Sequence, residues 1–180
     1  MSESIESNKS CSSTSISTPD NLSMDILNEK LIKNISIIIG TLINLDCSKT
    51  LKRRFAHKTS FDMKRIPVIS IYDYLYRIIQ YTQINDNVLI KAIIYIDRII
   101  KNNYFSITYN NIHKLLFIAI VLSAKINDDN CLTNKLYSKI GGISVKELKN
   151  LEIKFCEYIN YRFYIKKSLF EKYYKYINID

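Results

Sequence analysis

Residues 89 to 103, LIKAIIYIDRIIKNN, are apolar around nearly the whole circumference of a helix. At about 3.6 residues per turn, Leu89, Ile93, Ile96 and Ile100 form one stripe, while Ile90, Ile94 and Ile99 cover the remaining faces. A helix without a solvent face must be enclosed by others, which predicts a bundle with this segment at its centre. Asp97 falls within roughly 60° of the stripe and Arg98 nearly opposite, so the acid looks inward and the base outward. A buried carboxylate needs a cation or a backbone N–H as partner. Asp97 is therefore read as a structural buried acid whose partner sits on a neighbouring helix.

The rest of the composition supports an all-α chain. Three Gly and two Pro in 180 residues are too few for the turns of a many-stranded sheet. Ile and Tyr favour strands, but the apolar runs exceed ordinary strand lengths, and long periodicity outweighs propensity. One core fits this length. The formal charge of +9 raises nucleic acid or an anionic surface as a partner. Most cations are dispersed, however, and nucleic acid is not the favoured partner. The dense cluster runs from Lys49 to Arg65 and includes Lys52, Arg53 and Arg54, read as a basic linker, an import segment or a contact for an acidic partner. Cys11, Cys47, Cys131 and Cys156 form no CxxC pair, and His57 and His113 are the only histidines, so no metal site or cofactor is expected. With no hydrophobic signal core and no uncharged apolar run of about 18 residues, the expectation is an intracellular protein, cytoplasmic or nuclear, with reduced thiols and no membrane partner.

Along the chain, residues 1–22 are Ser-rich and read as a disordered tail. A helix is expected over 23–46, ending at Asp46, then the basic linker over 47–65. Five helices are expected between 68 and 160. Ser70 and Asp73 have capping-box spacing ahead of a helix whose inner face is Ile71, Leu75 and Ile78. Asn85 or Asp86 opens the next helix, and Thr108 is placed to cap the third, which mixes Leu115, Leu116 and Leu122 with small Ala119, Ser123 and Ala124. Gly141 and Gly142 stop a short fourth helix. Ser144 and Glu147 start the fifth, with Leu148, Leu151, Phe155 and Ile159 inward. Ser168 and Glu171 repeat the capping signal for a final helix within 166–180.

Catalytic chemistry finds little support. KIGGIS lacks the spacing of a phosphate loop, His113 has no nucleophile or fixed acid nearby, and Asp128 and Asp129 lack EF-hand spacing. No enzyme is predicted.

IPVISIYDYLYRIIQYT (66–82), YIDRI (95–99), IHKLLFIAIVLSAK (112–125), NKLYSKIGGIS (134–144) and ELKNLE (147–152) occur in an order and spacing that resembles the cyclin box, and more closely the Pho80-like, P/U-type cyclins. The resemblance covers about 66–165 and implies a single five-helix cyclin box with an added helix at each end. It also implies a regulatory subunit that binds and activates a cyclin-dependent protein kinase. By resemblance Lys125 and Glu152 are the pair that contacts the kinase, and Asp97 matches an aspartate that in many cyclins pairs with an arginine. Here that arginine position reads Val68, leaving Arg77, Lys125 or a helix N-terminus as candidate partners. Pro67 and Val68 also stand where many cell-cycle cyclins carry a hydrophobic docking patch. Two alternatives stay open: a helical nucleic-acid-binding or transcription-factor module using Lys52, Arg53 and Arg54, and a kinase scaffold that does not activate.

Overall fold

The computed structural model describes residues 19–50, 59–101, 106–128 and 131–178, with side chains from 29 to 45 in the first stretch. Among the described residues the order is α1 (Pro19–Thr50), α2 (Ile71–Thr82), α3 (Asp86–Lys101), α4 (Ile112–Asn127), α5 (Asn134–Gly141), α6 (Val145–Tyr158) and α7 (Lys167–Ile177), with no strand. The expected segment 23–46 is thus exceeded at both ends. α1 takes up the last residues assigned to the tail and the first of the linker, because nothing from Pro19 to Thr50 breaks a helix except the tolerated Gly40.

α3 and α4 form the centre as an antiparallel pair. The hydroxyl of Ser123 near the end of α4 donates to the Val88 carbonyl near the start of α3 at 2.9 Å, and Lys91 Nζ donates to Asn127 Oδ1 at 2.5 Å. α4 is enclosed even more completely than α3, with an unbroken buried run from Leu115 to Ala124. Ser123 is fully buried, so its bond to Val88 satisfies a hydroxyl that would otherwise be costly.

Local signals explain several boundaries. Ser70 Oγ accepts from the Asp73 N–H at 3.0 Å and starts α2, whose buried face is Tyr74, Leu75, Ile78 and Ile79; Ile71 is only half-buried. Ser144 Oγ accepts from the Glu147 N–H at 3.1 Å and starts α6. Gly142, at φ +67°, closes α5 in the left-handed conformation. Two expected caps are not used. Thr108 contributes its backbone carbonyl rather than its hydroxyl, and the Asn111 side chain accepts from the Thr108 N–H at 3.0 Å. Ser168 lies inside α7, whose N-cap is Lys166.

The expected linker is also corrected in part. Thr59 and Asp62 close a turn that drives Phe61 fully into the core, against Phe155 and Tyr158. Lys52, Arg53 and Arg54 lie outside the described residues.

Gly40 sits midway along α1 with nothing within 4 Å of where a Cβ would be. A helical glycine costs about 0.5–1 kcal/mol relative to alanine. Gly40→Ala is therefore expected to raise the melting temperature by roughly 1–4 °C, read by thermal circular dichroism.

His113 is buried in the first turn of α4, donates from Nε2 to the Ile69 carbonyl at 3.1 Å and packs edge-on against Tyr74 at 5.2 Å. Desolvation holds its pKa below the ordinary 6.5, with the Ile69 and Tyr109 carbonyls pulling partly back. The unfolded chain thus takes up this proton at a higher pH than the folded one. The neutral-histidine contribution is complete above about pH 6.5 and is lost as pH falls toward the depressed folded value. Urea unfolding at pH 7.5 and pH 5.5 should show a loss on acidification that shrinks in His113→Gln.

Candidate functional site

Three helices bring one polar cluster together at the surface. Lys125 lies in the last turn of α4, where a cation complements the helix carbonyl end. Glu152 comes from the middle of α6, whose register is set by the Ser144 cap. Lys125 Nζ stands 2.5 Å from Glu152 Oε1 and 2.5 Å from Asn134 Oδ1, the first residue of α5. The side chains of Lys125 and Glu152 are 25% and 14% exposed, so the pair is largely shielded yet reachable from solvent. Ile126, Leu136 and Ile153, each within two residues of a cluster member, are exposed. Tyr137 is buried in the second turn of α5, and burial pushes its phenol up while the Leu132 backbone pulls it down. A charged pair rimmed by exposed aliphatic side chains suits a protein contact: the apolar groups supply area, and the pair supplies a donor and an acceptor of fixed position.

Lys125 and Glu152, paired in the sequence reading, are thus neighbours in space. Asn134 was not foreseen. It stands next to Thr133, whose hydroxyl caps α5, and that cap fixes where the Asn134 side chain points.

Asp97 is elsewhere, and its expected environment is corrected. It is 23% exposed rather than fully buried, because it lies on the α3 edge that α7 covers. Its partners are Tyr173 of α7, whose hydroxyl donates to Oδ2 at 2.5 Å, and Lys101 one turn later in α3 at 2.6 Å. None of the three candidates fills that role. Arg77 is exposed on α2, Lys125 is bound to Glu152, and among the described residues Asp97 is reached by the Tyr173 hydroxyl and the Lys101 ammonium rather than by a helix N-terminus. Burial and the Asp97 carboxylate together push the Tyr173 phenol up. Arg98 does point outward, where its guanidinium donates to the carbonyls of Arg162 and Tyr164 at 2.5 and 2.8 Å. Val68 is exposed, as is Ile66.

Among the described residues no three His, Cys, Asp or Glu side chains come together as metal ligands, and no helix is long and apolar enough to cross a membrane. Burial, with Glu152 nearby, pushes the Cys156 thiol up, the opposite of an activated nucleophile.

Comparison with known proteins agrees with this architecture. The Cyclin family model matches residues 3–163. Cyclin-U2-1 of Arabidopsis thaliana is 35% identical over 149 residues, covering 77% of this chain and 67% of that protein. The PHO85 cyclin-like protein psl1 of Schizosaccharomyces pombe is 33% identical over 150 residues, covering 76% and 62%. PHO85 cyclin-7 of Saccharomyces cerevisiae is 26% identical over 199 residues, covering 95% and 70%. The chain spans about half the length of another relative, Cyclin-U2-2 of Arabidopsis thaliana. With a matching domain over most of its length and relatives among the U-type and PHO85 cyclins, the chain belongs to the cyclin family, on its Pho80-like side.

Proposed function

We propose that this cyclin is a noncatalytic, intracellular regulatory subunit that binds and activates a cyclin-dependent protein kinase. The observation that carries the reading is the Lys125–Glu152 pair, held between α4 and α6 and rimmed by exposed Ile126, Leu136 and Ile153. The names of the PHO85 cyclin relatives support a kinase of that class as partner.

Activation then follows from differential binding. A kinase whose C-helix moves between two positions aligns ATP only when a glutamate on that helix pairs with the lysine that holds the phosphates. A cyclin that contacts the aligned state better shifts the equilibrium toward it by the difference in its two binding free energies. Lys125 and Glu152 fix the register of that contact, and the exposed aliphatic residues supply the buried area.

The test is affinity capture of the tagged chain from its own cells, with identification of the bound proteins and a kinase assay on the eluate. A cyclin-dependent kinase should be recovered active, and both kinase and activity should vanish with the Lys125→Ala, Glu152→Ala double substitution. Recovery of an inactive kinase would instead favour the scaffold. Recovery of nucleic acid without kinase would reject the regulatory reading.

A further inference from the structure

We infer that the cavity between the end of α3 and the segment following α6 recognises a phosphorylated serine or threonine side chain of a partner protein. The cavity measures about 520 Å³, a size suited to a side chain with its flanking backbone, and is lined by Arg98, Lys101 and Arg162 together with Tyr161, Phe163 and Tyr164. Among the described residues no acidic side chain lines it.

The charge balance favours a dianion. α6 ends at Tyr158, and its carbonyl end contributes roughly half a negative charge. That end and the Asp97 carboxylate, which pairs with Lys101, offset about one and a half of the three positive charges and leave about one and a half over. A carboxylate, with a single charge, leaves part of that excess uncompensated. A phosphomonoester carries nearly two charges and three strong acceptor oxygens, so it can engage separate donors at once.

The site is built in advance of any ligand. Arg98 donates to the carbonyls of Arg162 and Tyr164, and the Tyr95 hydroxyl donates to the Phe163 carbonyl at 3.2 Å, so α3 takes up the acceptors of this segment. What remains at the mouth is cationic and aromatic, with Arg162, Tyr161 and Tyr164 exposed. Two consecutive residues, Asn160 and Tyr161, adopt left-handed φ values of 52° and 55°. Asparagine tolerates that conformation, but tyrosine seldom does, and such departures concentrate where function requires them. The Tyr161 N–H bond to the Cys156 carbonyl at 2.9 Å holds the turn and sets the side chains of Tyr161 and Arg162.

Position separates the cavity from the kinase-contact candidate. α3 begins beside the end of α4 that carries Lys125, where Val88 meets Ser123, and Arg98 lies about 15 Å farther along α3. A segment bound there leaves Lys125 and Glu152 accessible. The inference does not depend on kinase binding, and its test uses the cyclin alone.

The probe is a fluorescent peptide pool with fixed phosphoserine and randomised flanks, compared by anisotropy at physiological salt with pools carrying serine or glutamate. The phosphoserine pool should bind selectively, and Arg162→Glu should weaken it at least tenfold while leaving the circular dichroism spectrum and melting temperature unchanged. Equal binding of the glutamate pool would overturn phosphate recognition. So would binding that Arg162→Glu leaves intact. Inorganic phosphate binding as tightly as the pool would make this a free-anion site, and an oligonucleotide displacing the pool with the same Arg162 dependence would make it a nucleic-acid site. Either result overturns the inference.

Discussion

Lys125→Ala is expected to weaken association with the partner kinase by about 2 kcal/mol or more, roughly 30-fold, while helix content stays at the wild-type level. The size follows from what the substitution exposes. Lys125 holds Glu152 and Asn134 at 2.5 Å each, so its loss frees a carboxylate and an amide at the centre of the proposed contact. In the free cyclin those groups rehydrate, because the site opens to solvent, and the fold loses little. In the complex they are covered without a partner, and the unpaired buried charge sets the cost. Calorimetry with purified kinase separates the two effects. A lower melting temperature with unchanged affinity would assign the pair to the fold alone. If Lys125 and Glu152 act as one unit, the double substitution costs little more than either single one.

Features set by neighbours within a turn were readable from the chain. Ser70 and Ser144 accept the amides of Asp73 and Glu147 because a capping box is closed by residues three apart. The same spelling at Ser168 misled. The extended residues before α7 are held by Arg98 from α3, and the helix starts two residues earlier than the motif indicates. Phe61 was obscured by its basic surroundings, since only the distant Phe155 and Tyr158 reveal that it is buried. Lys125 and Glu152 came as a pair from resemblance, not from any periodicity. Asn134, which completes their cluster, had no local signal beyond the adjacent cap.

Asp97 illustrates the longest reach. Its periodicity on α3 correctly marked an inward lean, yet its principal partner, Tyr173, lies 76 residues away on α7. α1 is tied to the same helix, since Asn34 Nδ2 donates to the Ile177 carbonyl at 2.8 Å and Ile177 is buried. The two helices outside the region of resemblance therefore close the side of α3 that the five-helix box leaves open. The acid is retained half-buried because a hydroxyl and an ammonium reach it there.

Gly141→Ala is expected to destabilise the fold by about 1–3 kcal/mol, lowering the melting temperature by roughly 2–12 °C, and to weaken kinase association as well. A Cβ at position 141 would fall 2.3 Å from Cε1 of Phe117, and Phe117 is fully buried within α4. The ring has no open space to enter, so α5 must shift. That helix carries Asn134, which bonds Lys125, and Leu136, which is exposed beside it. Displacing α5 thus reaches the proposed contact without altering any charge. Gly40→Ala, with open space around its Cβ, is the paired control: it should move stability the other way and leave association unchanged. Thermal melts and kinase calorimetry on both variants decide the matter. A Gly141→Ala protein that melts as wild type would show that α5 accommodates the methyl group and that the Gly141–Phe117 packing does not fix its position.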